Sequence, residues 1–443
     1  MNNAMIASVD LYNSSEFDPP ERRKHLKDRV IFALSRMRYQ YSGGFIVASV
    51  IPACVATAMN GSFLPSSLVV NSFIVSLLAF SLGFLFFRKL TVYPGIRAIS
   101  YIVPSFLAAF GSAGTLFWLL QLPFDFEQIV GGLIAVIAWF LIIFLLSRRG
   151  KRLELNIVPG GVVNRISEFS FVQTRELKTP NDIMCRGPIV ADFRANLSSE
   201  WEKFVADAAL GGRQVYHVKQ LEESLSGRVR IEHLSENPFG SLSPSIMYVH
   251  AKRALDCVLA IVALIILFLP LIFISIAIRV DSPGPSIFRQ QRIGLGGRTF
   301  TMLKFRSMRE LTDAERTDPE AQTRHDELRV TRIGKFIRRT RLDELPQILN
   351  ILKGEMTWIG PRPESIALST LYEAQVPFYR YRHVVRPGIT GWAQVNQGHV
   401  IGIEDAIEKL EYDFFYVKHF SLWLDILVSL RTVRVVLTGL GAR

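Results

Sequence analysis

The sequence predicts a membrane α-helical bundle of four spans, then a small α/β domain, then an α-rich α/β domain introduced by a re-entrant membrane helix. Three observations carry this. The 443 residues are 49% hydrophobic with a mean hydropathy of +0.25, too apolar for a soluble protein of this size and too long for one domain. Four apolar stretches follow one another before residue 150 with only short loops between them. A fifth, Cys257 to Ile278, is interrupted by Pro270 and has basic residues on both flanks.

Residues 1–40 form a polar, basic segment on the cytoplasmic side, and 41–150 hold the four spans. The stretches 43–59, 66–87, 96–120 and 129–146 are each long enough to cross a hydrocarbon core of roughly 30 Å. Lysines and arginines cluster before the first span, between the second and third (Arg88, Lys89, Arg97) and after the fourth (Arg148, Arg149, Lys151, Arg152). The loop around Asn60-Gly61-Ser62 has no basic residue, and the Leu122 to Gln128 loop carries Asp125 and Glu127 instead. Positive charge stays inside, so both ends of the bundle face the cytoplasm. The polar, acidic N-terminus leads us to expect no cleavable signal peptide. Cys54, Cys185 and Cys257 are too widely spaced for a disulfide framework or a metal site.

Residues 151–245 are soluble in character. Short apolar runs at 155–158, 188–191 and 214–218 predict strands, Glu200 to Leu210 predicts a helix, and Ser241 to Ser245 is a linker. Pro159-Gly160-Gly161 lacks a G-x-G-x-x-G pattern and is expected to be a plain turn. The fifth apolar run, within 246–280, would place everything after it outside the cell if it crossed the bilayer. Lys252, Arg253 and Arg279 on its flanks oppose that. A helix that bends at Pro270 and returns to the same face resolves the conflict.

From Asp281 the chain is globular, and the domain over 281–443 carries the chemistry. In Arg341-Leu342-Asp343-Glu344-Leu345-Pro346-Gln347 two adjacent carboxylates sit among arginines near the first turn of a short helix. Backbone N–H groups there favour negative charge, so a carboxylate and a phosphate can both be held. A carboxylate surrounded by cations can attack phosphorus or hold a divalent metal. The competing explanation is a capping box begun by Thr340. Lys304-Phe305-Arg306-Ser307-Met308 follows a strand-like run, and Gly296-Gly297 before it suits a phosphate or a hairpin turn equally well. Gly360-Pro361-Arg362-Pro363 fixes one arginine between two prolines, and Arg386-Pro387-Gly388-Ile389-Thr390-Gly391-Trp392 follows. Asp413 has a surface ion pair as its alternative role, and His383 and His399 are weak acid/base candidates. Phe414 to Leu424 is dense in aromatic and apolar residues, which suits a membrane interface or an ordinary core; we expect the interface.

These motifs, in this order from Lys252 onward, resemble the bacterial polyprenyl-phosphate glycosyl-1-phosphate transferases. The resemblance implies that 151–245 is a truncated Rossmann-like domain and that the membrane helix is re-entrant. It implies transfer of a hexose 1-phosphate from a UDP-sugar to undecaprenyl phosphate at the cytoplasmic face of the bacterial inner membrane, starting exopolysaccharide, capsule or O-antigen synthesis. Asp343 matches the nucleophile, Glu344 its acidic neighbour and Asp413 a further acid of the site. Asp343 and Glu344 would hold Mg²⁺, while Lys304, Arg306, Arg338, Arg362 and Arg386 would meet substrate phosphates. Membrane lipids are expected partners, and so is a second copy of the chain in a homodimer. From residues alone, direct displacement with Asp343 as metal ligand is as acceptable as a covalent aspartyl intermediate.

Other classes explain less. The net charge of +12 suits anionic lipid and phosphorylated substrates. No zinc finger, helix-turn-helix signature or aromatic-interleaved basic strand accompanies it, so no nucleic-acid partner is expected. A transporter would need charges inside the spans, which are nearly absent. A membrane-anchored scaffold would need no paired acids.

Overall fold

The structure is a computed structural model that describes residues 36–59, 66–94, 98–147, 153–180, 187–230, 244–309, 329–397 and 402–438. The chain divides into two compact units, Met1–Gly227 and Arg228–Arg443.

The first unit begins with four apolar helices: α1 (Met37–Met59), α2 (Ser67–Thr91), α3 (Ile99–Leu119) and α4 (Phe126–Ser147). Each is long and apolar enough to cross a membrane by length and composition. Their contact faces hold stacked and tilted phenylalanines (Phe80, Phe84, Phe87, Phe106 and Phe140). Glycines let the helices approach: a Cβ at Gly44 would collide with the Phe80 ring, and one at Gly132 with the Ala48 carbonyl. The acidic loop has a local task, since Asp125 Oδ1 accepts from the Glu127 N–H at 2.9 Å and so caps α4.

A parallel four-stranded sheet follows, ordered β2-β1-β3-β4, from β1 (Leu153–Ile157), β2 (Val172–Glu176), β3 (Ile189–Ala191) and β4 (Val215–His217). Helices α5 (Ser199–Leu210) and α6 (Val218–Ser226) accompany it. The predicted strands and helix are present, together with β2, which had not been predicted. The Pro159-Gly160-Gly161 turn is closed by the protein itself. Asp192 Oδ2 accepts from the Val162 N–H at 3.1 Å, and a Cβ on Gly161 would collide with that carboxylate.

The second unit is built on one long helix, α7 (Ile246–Asp281), 36 residues and about 54 Å at 1.5 Å per residue. It stays helical through Pro270. The hairpin β5 (Ile287–Ile293) and β6 (Thr299–Phe305) follows, with Gly296 and Gly297 in its turn at positive φ. This is the hairpin alternative for that glycine pair. Next come α8 (Arg332–Arg339), α9 (Ile348–Lys353), β7 (Thr357–Ile359), α10 (Ile366–Gln375), β8 (Gly388–Thr390), α11 (Trp392–Asn396), α12 (Ile403–Lys418) and α13 (Leu422–Thr438).

Both halves of α7 are held by the same domain. Before Pro270, Lys252 pairs with Asp425 at 2.6 Å, Arg253 donates to the Leu352 carbonyl at 2.9 Å, and Thr357 donates to Asp256. Beyond it, Ser275 bonds Ser286 at 2.6 Å, and Asp281 Oδ2 accepts from the Ile333 N–H at 3.1 Å. Between these anchors, Ile265, Ile266, Phe268, Leu269 and Phe273 are 57–72% exposed, on either side of the proline.

One expectation is overturned in part. Phe414, Phe415, Tyr416 and Leu424 are buried, so that part of the run is core and not an interfacial belt, while Leu422 is exposed and Phe420 and Trp423 are half-buried. Tyr416 donates to the Ile359 carbonyl and to Asp425, and Arg431 lies over Trp392 at 4.7 Å. Helical spacing turns these rings inward, where Phe415 stacks on Trp392 with ring centroids 5.4 Å apart.

Candidate active site

The paired carboxylates stand on a 3-10 turn, Leu342–Gln347, between α8 and α9. Pro346 is tolerated within this short turn, and Arg341 enters it at φ 59°, a left-handed conformation that costs a non-glycine residue about 1–3 kcal/mol. Thr340 does not cap the turn. Its hydroxyl donates back to the Phe336 carbonyl at 2.8 Å, so the capping-box alternative fails.

The cations gather on Glu344. Its Oε1 accepts from Arg362 Nη2 at 2.6 Å, with Lys304 Nζ at 3.5 Å and an Arg341 nitrogen at 3.9 Å. Burial alone would raise this carboxyl, but Arg362 and Lys304 override it and hold the value down at about 2. Asp343 is different. Burial first, then the charge of Glu344, push its carboxyl above the usual range, with Lys304, Arg341 and Arg338 pulling part of the way back. Its Oδ1 is buried without a hydrogen-bond partner among the described residues. Two adjacent acids are thus driven apart: one an anion locked to arginine, the other a carboxyl pushed upward with one oxygen left without a hydrogen-bond partner among the described residues. Lys304 shares the same low-dielectric setting, where burial and Arg362 lower its pKa.

The backbone places Arg362. β7 and β8 pair in parallel, Thr357 with Gly388 and Ile359 with Thr390. The loops beyond them touch backbone to backbone: a Cβ on Gly388 would collide with the Gly360 nitrogen, and one on Gly391 with the Gly360 carbonyl. At both positions only a residue without a Cβ fits so close an approach.

Behind Arg362 lies a second, buried ion pair. Arg382 is 2% exposed and reaches Asp413 Oδ2 through Nε at 3.0 Å and Nη2 at 2.7 Å. Its Nη2 also donates to the Arg362 carbonyl at 2.9 Å, and its Nη1 to the Tyr379 hydroxyl at 2.7 Å. Burial pushes the Asp413 carboxyl upward, but the guanidinium on it keeps it a hydrogen-bond acceptor. Asp413 therefore stands behind the arginine of the carboxylate pair, not beside the pair itself. Glu364, next to Pro363, accepts from Lys409 and lies 4.0 Å from Arg382.

The other expected phosphate contacts divide. Arg338 is exposed beside Asp343, its Nε donating to Ser307 Oγ at 2.8 Å. Arg306 is buried and donates through Nη2 to the Ser282 carbonyl at 2.7 Å, which caps the C-terminal end of α7 where a cation is favoured. Arg386 donates to the Gly354 carbonyl at 3.0 Å and braces the end of α9. His383 is buried, and burial followed by Arg382 lowers its pKa to about 4, so it does not exchange protons near neutrality. His399 lies outside the described residues. Arg382 was not anticipated. In Tyr379-Arg380-Tyr381-Arg382-His383 it reads as one surface charge among several, and the interleaved aromatics were the available signal.

Apolar helices and a carboxylate pair held by phosphate-type cations together define a membrane-associated phosphotransfer enzyme. A bacterial sugar transferase family profile matches residues 247–439. The chain is 41% identical over 379 residues (84% of this chain, 88% of the relative) to the UDP-N-acetylgalactosamine-undecaprenyl-phosphate N-acetylgalactosaminephosphotransferase of Aeromonas hydrophila. It is 45% identical over 199 residues (44% and 41%) to the UDP-glucose:undecaprenyl-phosphate glucose-1-phosphate transferase of Xanthomonas campestris pv. campestris. The transferase of the same name from Caulobacter vibrioides is 37% identical over 270 residues (59% and 96%). The chain belongs to the bacterial sugar transferase family.

Proposed function

We propose that this protein transfers a sugar 1-phosphate from a UDP-sugar to undecaprenyl phosphate, releasing UMP, as the first membrane step of exopolysaccharide, capsule or O-antigen synthesis. The observation that carries this reading is the division of labour in the pair, with Glu344 locked to Arg362 and Asp343 left with a buried, unpartnered oxygen. Asp343 attacks the β-phosphorus, the bond to the bridging oxygen breaks, and UMP leaves with that oxygen and the electron pair. An oxygen of the lipid phosphate then attacks the phosphosugar, and breaking the aspartyl O–P bond restores the carboxylate. Lys304, Arg338 and Arg362 neutralise charge on the phosphates. The donor is a UDP-hexose or its N-acetylated counterpart, the two sugars that the relatives' names carry.

Mg²⁺ fits the donor set. Magnesium takes one or two carboxylates and fills its shell with substrate oxygens and water, so the unsatisfied Asp343 oxygen is a suitable ligand. Glu344, already engaged by Arg362, would serve as an outer neighbour or a second ligand. The ion would supply charge neutralisation on the phosphates.

The placement we propose is multi-pass in the inner membrane, with α1 to α4 spanning it and α7 re-entrant from the cytoplasmic face. The support is that one domain grips α7 on both sides of Pro270, while the apolar residues around the proline are left uncovered. A straight crossing would set those anchors on opposite sides of the bilayer.

The test is UMP release by purified protein with undecaprenyl phosphate, Mg²⁺ and a panel of UDP-sugars, combined with trapping of the aspartyl adduct. Release with one sugar, and a trapped adduct that disappears in Asp343→Asn, is expected. An Asp343→Asn protein that still turns over would remove the nucleophile.

A further inference from the structure

A further cation stands beside the carboxylate pair, carried by β5. The hairpin register sets Arg292 opposite Phe300 and Phe288 opposite Lys304, so alternation puts Arg292 and Lys304 on one face of the hairpin. A backbone bridge between Arg292 and Ser365, with the Ile293 N–H donating to the Glu364 carbonyl, ties β5 to the chain just beyond Arg362. Arg292 Nη2 donates to Gln290 Oε1 at 2.7 Å, and Nη1 to the Pro363 carbonyl at 3.3 Å. Its Nε is buried without a hydrogen-bond partner among the described residues. One edge of the guanidinium fork is therefore unsatisfied where an unmade hydrogen bond is costly.

The surrounding charges set an order. Those acting on Arg292 are Glu364, Arg362 and Glu344, while those acting on Asp343 are Glu344, Lys304, Arg341 and Arg338. The row runs from Asp343 through Glu344 and Arg362 to Arg292, with the attacking carboxylate at one end and this guanidinium at the other. Both acids near Arg292 are already engaged. Glu364 is shared with Lys409 and Arg382, and Glu344 with Arg362, Lys304 and Arg341. Burial and the like charge of Arg362 lower the Arg292 pKa, with Glu364 opposing, and an anion between the two guanidiniums would relieve their repulsion.

We propose that Arg292 is a catalytic residue that binds the phosphate lying across the β-phosphorus from Asp343, first the donor's α-phosphate and then the lipid phosphate. In-line displacement puts the leaving oxygen opposite the attacking carboxylate, which is where the row ends. The Asp343 oxygen bonds to phosphorus, the bridging bond breaks, and UMP leaves with the bridging oxygen and its electron pair. Arg292 meets the charge gathering on that phosphate through its fork and gives up no proton. When the lipid phosphate attacks, the aspartyl oxygen is the leaving group, so the incoming oxygen enters from the place UMP vacated. One arginine then serves two phosphates in succession, and UMP competes with the lipid for it. This inference rests on the transfer reaction given above.

The test uses the full-length chain in nanodiscs and begins with calorimetric binding of UMP and of uridine, which needs no turnover. Arg292→Gln should weaken UMP about tenfold and leave uridine as it is, with Arg292→Lys between. The exposed Arg289→Gln, on the other face of β5, should bind both as the unaltered protein does. UMP release and transfer from the trapped adduct to undecaprenyl phosphate should each slow about 100-fold in Arg292→Gln. A mere brace for Arg362 has a different signature. Against the pull of burial, Arg362, Lys304 and Arg341 hold the Glu344 carboxyl down, so a phosphate contact at Arg292 leaves the acid-side loss of stability in place. Unfolding curves in which Arg292→Gln flattens that loss overturn the contact in favour of the brace, and so does UMP binding that the variant leaves intact. Weakened UMP with adduct transfer at full speed overturns the sharing by the lipid phosphate. Binding of UMP through Arg292, beside no UMP release from any UDP-sugar, removes the transfer reaction and leaves the phosphate contact standing.

Discussion

Asp413→Asn separates two roles for that carboxylate. In the structure it accepts two hydrogen bonds from a fully buried arginine, and the same arginine holds the Arg362 carbonyl. Removing the charge leaves Arg382 buried, with Glu364, at 4.0 Å, as its remaining carboxylate among the described residues. Breaking one side of a buried pair costs about 3–5 kcal/mol. For a unit of this size, at roughly 2–4 °C per kcal/mol, the unfolding midpoint should fall by about 6–20 °C. Thermal unfolding in detergent, followed by intrinsic fluorescence, measures this, and UMP release is read at a temperature where both proteins are folded. A positioning role predicts the large midpoint shift together with slower turnover. It also predicts that the turnover defect shrinks when Arg362 is already Gln, because both changes act through one arginine. An unchanged midpoint with turnover abolished would refute the reasoning and put Asp413 on the substrate.

Chelation by EDTA should abolish UMP release, and added Mg²⁺ should restore it; activity that survives chelation removes the metal from the reaction. Gly391→Ala should be destabilised and inactive, because its Cβ would meet the Gly360 carbonyl, and a fully active protein would show that the two loops can part. Arg341→Gly relieves the left-handed strain at φ 59° and should raise stability by up to about 1 kcal/mol, with unfolding as the readout. Glu344 has a folded value of about 2 against 4.5, a depressed carboxyl, so its stabilisation is present above pH 4.5 and is lost as pH falls toward 2. Arg362→Gln should flatten that acid-side loss in unfolding curves measured across the window.

Apolar length and motif order were legible because each depends on neighbouring residues. The stretch 66–87 became Ser67–Thr91, and 129–146 became Phe126–Ser147. β2 escaped because only Val172 of its five residues is buried, leaving no alternation to detect at a sheet edge. The paired acids could be found, but not which of them the cations would choose. That choice depends on β6 and the Pro361-Arg362-Pro363 bend arriving beside Glu344 and not Asp343. Arg382 was hidden for a similar reason: its partner lies 31 residues further on, and only the folded chain brings α12 against it. The aromatic run misled because amphipathic core and interfacial belt share one composition, and burial alone tells them apart.

The grip of one domain on both halves of α7 bears on transport as well as on chemistry. Under the re-entrant placement proposed above, α7 offers no passage between leaflets. The lipid acceptor and lipid-linked product would then stay in the leaflet that faces the site, the soluble nucleotide sugar would arrive from the water on that side, and the energy of the broken pyrophosphate would do no vectorial work. Any polymer finished outside the cell requires a separate catalyst that turns the loaded lipid over, and the two activities can be uncoupled by depleting that catalyst alone.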